Sequence, residues 1–334
     1  MQRMKIIGTG SYLPDLVVTN QMMASVVETS DEWITSRTGI SQRHLSSGEP
    51  TWFMAVEAAR KGMEAAGVLA EAIDVIIVTT CTPDYYLPST ACIVQAELGA
   101  SKAICFDLNA ACSGFVYALD MAARYLQDLS IEHVLIIASE NVSKLVDYGD
   151  RSICVLFGDG AGAVVCARAG QEDDSALLAT QLGSEGQNGQ VLVSRALKIS
   201  HPFLADGAVW PDRFGSHEDH TLTMEGQEVF KFAVRVLADS VLETVAKAGV
   251  DLAQLRYIIP HQANERISDA AARRMKAEPE QIISRIADLG NTSSASIPLC
   301  LDELIRSGRL DRGDMVAICG FGAGLTYGAA LFVY

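Results

Sequence analysis

Cys112 lies where a cysteine can act as a nucleophile. In the stretch DLNAACSGFVYALDMAARYL, residues 107–126, it falls between a run of small residues and the first turn of an amphipathic helix. The amino end of a helix carries partial positive charge, so this position is expected to lower the pKa of the thiol. It also leaves the backbone N–H of Cys112 free to bind an oxyanion. Alternatively, Cys112 is a small apolar core residue.

Two further residues are candidate partners for this nucleophile. His261 follows the strand-like run YIIP and opens a helical segment, where open α/β sheets place functional groups. Asn291 lies in the Gly- and Ser-rich turn DLGNTSSAS, close to the position in the second half that corresponds to Cys112. The alternatives are a structural histidine and a turn asparagine that stabilises its own backbone.

Alternating strands and helices must position these residues. Short β-branched runs such as VIIVTT (75–80) and HVLIIASE (133–140) alternate with longer amphipathic stretches. Continuous apolar strands between such helices predict an α/β protein whose sheets are covered on both faces.

The two halves of the chain also repeat each other. Three segments of the first half return in the same order: IDVIIVTTCTP as LRYIIPHQAN, FDLNAACSGFVYALD as ADLGNTSSASIPLCLDE, and FGDGAGAVVCA as GFGAGLTYGAALF. We therefore predict a duplicated α/β unit with pseudo-twofold symmetry. Residues 1–170 would carry Cys112, and residues 171–334 would carry His261 and Asn291. A site near the symmetry axis would use both halves.

Composition narrows the class of protein. The chain has 334 residues, of which 49% are hydrophobic and 20% charged, so a large folded core is expected. A net charge of -15 argues against nucleic-acid binding. We find no signal-peptide pattern and no apolar run of membrane-spanning length. Eight cysteines without a CxxC pair indicate reduced thiols. These features predict a cytoplasmic protein that binds neither nucleic acid nor membranes.

Residues 184–220 interrupt the alternating pattern. They are rich in Gly, Pro, Asp and Ser and contain His201, His217 and His220, which predicts a long loop or lid between the halves. His217 and His220 lack a convincing third ligand, so a solvated loop is favoured over a metal site and we predict no bound metal.

Together these segments resemble the β-ketoacyl-acyl-carrier-protein synthase III family of thiolase-fold condensing enzymes over essentially the whole chain. The motifs that carry the resemblance, in order, are GTGSYLPDLVVTN, SDEWITSRTGI, AACSGF, DRSICVLFGDGAGAVV, LTMEGQEVFKFAV, PHQANERI, LGNTSSASIP and FGAGLTYGAAL. The resemblance implies a thiolase-like fold with duplicated βαβ halves in a five-layer αβαβα arrangement. It also implies a catalytic set of Cys112, His261 and Asn291.

The resemblance implies a two-stage reaction without a cofactor. Cys112 would take an acyl group from acyl-CoA, and malonyl-acyl-carrier protein would then lose CO2 and attack that acyl group. His261, as a neutral donor, and Asn291 would hold the enolate oxygen. The backbone N–H of Ala323 would complete the oxyanion hole, and Phe321 would crowd the malonyl carboxylate.

The family also implies contacts with substrates and partners. Trp33 and Arg37 match residues that sandwich the adenine of coenzyme A, and Arg151 and Asn264 match further contacts with it. The positions that match carrier-protein docking are Lys231, Arg266, Arg273 and Arg274. Leu87 matches a residue that the partner subunit presents at the base of the acyl tunnel, so a homodimer is expected.

Several alternatives stay open at this point. The 184–220 segment is longer than in compact family members, so an acetyl, a medium-chain or a specialised acyl-CoA could be the substrate. A specialised acyltransferase could share the catalytic set and skip decarboxylation. The order Cys, His, Asn is also that of papain-like hydrolases, although their signature is absent. A catalytically silent scaffold is disfavoured by the intact set.

Overall fold

The computed structural model describes residues 4–170, 173, 175–197, 202–203 and 220–334. The strands are β1 (Met4–Tyr12), β2 (Leu16–Thr19), β3 (Gln42–Leu45), β4 (Val75–Thr79), β5 (Ile104–Leu108), β6 (His133–Asn141), β7 (Asp159–Arg168), β8 (Ala176–Ser184), β9 (Leu192–Val193), β10 (Thr223–Met224), β11 (Tyr257–Pro260), β12 (Met315–Gly322) and β13 (Thr326–Val333). The α-helices are α1 (Asn20–Met23), α2 (Asp31–Thr38), α3 (Thr51–Ala66), α4 (Thr90–Leu98), α5 (Gly114–Tyr125), α6 (Arg151–Cys154), α7 (Gly226–Ala248), α8 (Glu265–Met275), α9 (Ile286–Leu289) and α10 (Ser296–Arg306).

The first large sheet belongs to the first half of the chain. Among the described residues it has the order β1-β7-β6-β4-β5. β4 is parallel to both β5 and β6, whereas β7 is antiparallel to β6 and β1. All five residues of β4, VIIVT, are buried, which is what an uninterrupted β-branched run predicts for a strand covered on both faces.

The second large sheet repeats this arrangement. Its order in the described part of the chain is β11-β12-β13-β8, with β11 parallel to β12 and the other pairs antiparallel. Where the first sheet has β5, the second has an isolated parallel bridge from Ile282 to Ile258 in β11. The matching topology confirms the duplicated α/β architecture.

Helices α5 and α10 fill the space between the sheets. Phe115, Leu119, Ile297 and Leu301 of these helices are fully buried in one apolar core with residues of both sheets. Helices α3 and α4 cover the outer face of the first sheet, and α7 and α8 cover the outer face of the second. The layers therefore follow the order αβαβα. Because both halves share the central core, the boundary at residues 170 and 171 stays a prediction.

The predicted loop between the halves contains regular structure at both ends. β8 runs to Ser184, a short 3₁₀ helix spans Gly186–Val191, and β9 pairs with β10 as a small ribbon. His201 and His217 lie outside the described residues, and so does most of the predicted lid. In the described part of the chain, no helix has the length and apolar character needed to span a bilayer.

Close contact between β1 and α3 depends on glycine. A Cβ added to Gly10 would collide with the backbone of Ala58 and Gly62. We expect Gly10→Ala to lower the free energy of unfolding by about 1–3 kcal/mol, because neither neighbouring backbone can yield. Gly226→Ala is the control, since its Cβ would meet nothing within 4 Å. Denaturant unfolding checks both variants, and equal stabilities would contradict this account of the contact.

Candidate active site

Cys112 lies in a tight turn that leads into α5. A 3₁₀ turn covers Ala111–Ser113, and α5 begins at Gly114. Ala111 has a φ of 45°, which is uncommon for a residue other than glycine. A Cβ added to Gly322, at the end of β12, would lie only 2.6 Å from the backbone N of Cys112. The second sheet therefore ends directly against the turn that carries the cysteine.

The surroundings of Cys112 correct one expectation. Burial raises the pKa of its thiol to about 12, and the nearby Glu140 carboxylate adds to that rise. The Ser293 hydroxyl acts in the opposite direction. The expectation that the helix start lowers this pKa is therefore wrong. The cysteine precedes α5 in a 3₁₀ turn, and desolvation of its sulfur is the largest cause of the shift.

Asn291 lies in the matching turn of the second half. Its backbone N donates to the Leu156 carbonyl at 2.8 Å, and its carbonyl accepts from Gly158 N at 2.9 Å. Its Oδ1 accepts from Ser293 N at 2.9 Å, so the side chain does stabilise its own turn. With Oδ1 turned toward Ser293 N, the NH2 group is the donor of this buried side chain.

The turn of Cys112 and the turn of Asn291 share a hydrogen-bond pattern that aligns the residues of the two halves. Asn109 Oδ1 accepts from Ala111 N as Asn291 Oδ1 accepts from Ser293 N. Ala111 and Ser293 both have positive φ, 45° and 51°. Asn291 thus corresponds to Asn109, and the counterpart of Cys112 is Ser294, three residues beyond the asparagine.

His261 is held as a neutral donor. It follows β11, and its backbone N donates to the Cys319 carbonyl at 2.7 Å. Nδ1 lies 2.7 Å from Ser296 Oγ, which also accepts from Gln262 N at 3.3 Å. Nδ1 is the acceptor within hydrogen-bond reach of the buried Ser296 hydroxyl, so we assign the hydroxyl hydrogen to Nδ1 and the ring proton to Nε2. Burial lowers the pKa of His261 to about 3.

One cavity brings the predicted catalytic residues together. Cys112, His261 and Asn291 line a cavity of about 1490 Å³. Phe321 and Ala323 line it as well, and the Phe321 ring lies edge-on to His261 with 5.4 Å between centroids. The volume exceeds the several hundred cubic ångströms of a drug-sized pocket. It therefore suits a long, flexible ligand with its reactive end at Cys112.

Comparison with known proteins agrees with this architecture. Two family models match: 3-oxoacyl-[acyl-carrier-protein] synthase III over residues 106–186 and its C-terminal part over residues 245–334. The chain is 41% identical to the β-ketoacyl-[acyl-carrier-protein] synthase III of Clostridium novyi, covering 99% of each chain. It is 46% identical to that of Xanthomonas campestris, covering 99% of this chain and 98% of the relative.

Solved structures give the same result. The crystal structure of 3-oxoacyl-[acyl-carrier-protein] synthase III from Aquifex aeolicus superposes with a TM-score of 0.90 at 43% identity. The superposition covers 99% of this chain and 100% of the Aquifex aeolicus chain. The chain belongs to the β-ketoacyl-acyl-carrier-protein synthase III family. The thiolase-like fold and the acyltransferase class expected from the sequence are thereby confirmed, whereas the roles of individual residues stay predictions.

The residues predicted to contact coenzyme A cluster around an aromatic ring. The guanidinium carbons of Arg37 and Arg151 lie 4.9 and 4.7 Å from the centroid of Trp33. Asn264 caps α8 by accepting from Arg266 N, and its Nδ2 donates to the Arg37 carbonyl at 3.1 Å. Trp33, Arg37 and Asn264 line the cavity, so this cluster borders the space that leads to Cys112.

The basic side chains predicted to dock carrier protein are exposed, and three of the four make an ion pair or a hydrogen bond. Lys231, on α7, pairs with Glu228 at 2.7 Å. On α8, Arg274 pairs with Asp239 at 2.9 Å, and Arg266 donates to the Ser36 carbonyl at 2.7 Å. Arg273 is exposed on the same helix. These side chains lie on two helices that pack together and cover the second sheet.

An apolar loop forms another part of the cavity wall. Leu87 is 87% exposed, and its neighbours Tyr86 and Tyr85 are 67% and 56% exposed. All three line the cavity. Exposed apolar side chains grouped at such a rim are typical of binding surfaces.

Sequence reasoning missed the polar framework beneath the catalytic set. Ser296 Oγ lies 2.7 Å from Nδ1 of His261, and Ser293 Oγ donates to Glu140 at 3.0 Å. Glu140 is fully buried and also accepts from Thr82 and Ser294. A signal existed in the hydroxyl-rich SSAS run after Asn291 and in the acidic residue that ends the apolar strand HVLIIASE.

We expect the His261 imidazole to stay neutral and protonated at Nε2 from pH 5 to pH 8, because its pKa of about 3 lies below this range. NMR of protein labelled with ¹⁵N-histidine checks this, with His261→Asn to assign the signal. Ser296→Ala should mix the two tautomers, because it removes the hydroxyl that contacts Nδ1. Protonation of the wild-type ring between pH 5 and pH 8 would contradict the assignment.

Proposed function

We propose that the chain transfers an acyl group from acyl-CoA to Cys112 and then condenses it with malonyl-acyl-carrier protein. The products are CoA, CO2 and 3-oxoacyl-acyl-carrier protein, which starts fatty-acid synthesis. The observation that carries this proposal is the convergence of Cys112, His261 and Asn291, from both halves, on one cavity.

In the first stage, the Cys112 sulfur attacks the thioester carbonyl and CoA leaves as a thiol. Exchange between two thioesters is nearly balanced, and sulfur is strongly nucleophilic, so a cysteine suits this step. Negative charge builds on the carbonyl oxygen in the tetrahedral state. The backbone N–H groups of Cys112 and Ala323 are the proposed donors to that oxygen.

In the second stage, the malonyl thioester loses CO2 and its electron pair enters an enolate. His261 Nε2–H and the Asn291 amide are proposed to hold the enolate oxygen. Both groups are neutral, and a histidine with a pKa of about 3 donates a hydrogen bond without surrendering its proton. Removing one such donor typically costs about 10²–10³ in rate. The enolate carbon then attacks the acyl group and expels the Cys112 thiolate.

Coenzyme A and carrier protein would enter from the same rim. We propose that the adenine stacks on Trp33 beside Arg37 and Arg151, which suits a purine between an indole and a guanidinium. Lys231, Arg266, Arg273 and Arg274 are the proposed contacts for the acidic carrier protein. Asn264 would contribute to the coenzyme A contacts through the turn that it caps.

A homodimer and a cytoplasmic location complete the proposal. Leu87, with its exposed tyrosine neighbours, would enter the partner's tunnel, and the outer edge of β5 carries the exposed Ile104. All eight cysteines lie among the described residues and are free, which suits a reducing compartment.

The surroundings of His261 argue against one alternative from the sequence, the papain-like hydrolase, but not against an acyltransferase that skips decarboxylation. A papain-like hydrolase needs a histidine that accepts the thiol proton. His261 has a pKa of about 3, and its Nδ1 is bound by Ser296, so it is a poor base. An acyltransferase that skips decarboxylation uses the same first stage, and only the fate of malonyl-carrier protein separates it from the leading proposal.

Intact-protein mass spectrometry after incubation with acyl-CoAs of two to twelve carbons tests the first stage. We expect a mass increase of one acyl group on wild-type protein and none on Cys112→Ala. Labelled CO2 release from malonyl-carrier protein then tests the second stage. Asn291→Ala should still be acylated but should release CO2 about 10²–10³ times more slowly. Acylation without CO2 release would favour the alternative acyltransferase.

Charge reversal of Arg273 tests the docking surface. We expect Arg273→Glu to raise the KM for malonyl-carrier protein severalfold, because the exposed cation becomes an anion facing an acidic partner. Acylation by acyl-CoA should be unchanged. Arg60→Glu, on α3 over the other sheet, is the matched control. An equal effect of both reversals would show that only overall charge matters.

A further inference from the structure

Cys92 and Cys105 form a pair of thiols that the reaction described above does not use. Cys92 lies in the first turn of α4 and is exposed, whereas Cys105 lies in β5 and is half-buried. Their Sγ atoms are 3.4 Å apart. An S–S bond is about 2.0 Å long, so the two sulfurs must approach by roughly 1.4 Å to form one. Rotation of the two side chains supplies a movement of this size.

Hydrogen bonds fix α4 against β5 on either side of this pair. The Asp107 carboxylate accepts from the first two backbone N–H groups of α4, at 2.8 and 2.7 Å. Further along the helix, Gln95 Nε2 donates to the Ala103 carbonyl at 3.0 Å. Cys92 and Cys105 both lie between these two anchors. The backbones that carry the sulfurs are therefore held together, which raises the effective concentration of one thiol at the other.

The two thiols differ in their access to reagents. The exposed sulfur of Cys92 meets a reagent from solvent first. Burial raises the pKa of Cys105 to about 11, and the hydrogen bond with Cys92 and the charge of Asp107 add to that rise. Cys105 is therefore protonated at neutral pH and is a poor first nucleophile, but it contacts whatever group forms on Cys92. This arrangement is typical of an attacking cysteine beside a resolving one.

We propose that Cys92 and Cys105 form a reversible dithiol site that a low-molecular-weight disulfide oxidises. The Cys92 sulfur attacks one sulfur of the reagent, which breaks the reagent's S–S bond and releases one thiol that carries the Cys92 proton. The Cys105 sulfur then attacks the Cys92 sulfur, and a second thiol leaves with the Cys105 proton. The protein thereby loses two electrons and two protons, which reduce the reagent to two thiols. Excess thiol reverses both steps.

The position of the pair connects it to the cavity. α4 begins just after the loop that carries Leu87, and β5 leads through Asn109 into the turn of Cys112. Leu87, Asn109 and Cys112 all line the cavity. A bond between Cys92 and Cys105 would join the two segments at their base. The oxidation site does not depend on the proposed acyl transfer.

Incubation of the native, full-length protein with excess glutathione disulfide tests the site. Free thiols are then blocked with N-ethylmaleimide, and peptides are mapped by mass spectrometry without reduction. We expect the peptides of Cys92 and Cys105 to be joined, with the loss of two hydrogen atoms. Excess reduced glutathione should restore both thiols.

Single variants separate the two roles. We expect Cys105→Ser to stop at a mixed disulfide with one glutathione on Cys92, because no second sulfur can displace it. Cys92→Ser should react about tenfold more slowly than wild type, since its remaining sulfur is half-buried and protonated. Cys154→Ser is the control and should form the disulfide as wild type does, because Cys154 is buried in another apolar core.

Gln95 tests the anchoring of the pair. Gln95→Ala removes the bond to Ala103, so we expect the mixed disulfide on Cys92 to be displaced by Cys105 severalfold more slowly. Glu97→Ala, at an exposed position of the same helix, is the matched control and should match wild type. Equal rates in Gln95→Ala and wild type would contradict the anchored geometry on which the site rests.

Two further outcomes would overturn the site. Native protein that keeps both thiols as maleimide adducts would show that the folded chain holds the sulfurs apart. A covalent dimer on a non-reducing gel, linked through Cys92 of two chains, would assign the exposed thiol to a contact between chains instead. Protein that no acyl-CoA acylates would overturn the proposed function and leave these results unchanged, so the two failures are distinguishable.

Discussion

The contact between the end of β12 and the turn of Cys112 is the constraint on which the site depends. Gly322 leaves no room for a side chain there, since its Cβ would lie 2.6 Å from the Cys112 nitrogen. The contact joins the second sheet to the turn that carries Cys112, the proposed nucleophile. It also brings Phe321 and Ala323, which flank Gly322, to the cavity that Cys112 and His261 line.

Burial is the second organising effect. It favours the neutral form of both Cys112 and His261. A dry site favours the neutral forms, so it keeps Cys112 protonated and His261 unprotonated. The same dryness strengthens hydrogen bonds from neutral donors to an enolate. The site is therefore well suited to holding developing negative charge, whereas the same burial opposes ionisation of the Cys112 thiol.

The sequence was sufficient for the architecture because duplication leaves a readable pattern. Apolar strand runs and three ordered internal matches predicted the two sheets and the joint site, and the motifs around Cys112, His261 and Asn291 indicated the family. The thiol pKa was misjudged because helix position can be read from a pattern, whereas desolvation depends on what packs around the sulfur. Glu140 was missed for the same reason.

The duplication explains why Glu140 and Gly322 face corresponding turns. In the register of the paired strands, β4 corresponds to β11 and β6 to β12, so Glu140 in the first half has Gly322 as its counterpart. Gly322 contacts the turn of Cys112, and Glu140 contacts the equivalent turn at Ser293 and Ser294. On one side the missing side chain lets the nucleophile's backbone approach. On the other, a carboxylate fills the equivalent space and accepts from the hydroxyls of Ser293 and Ser294. One fold element, used twice, therefore closes against both turns of the site.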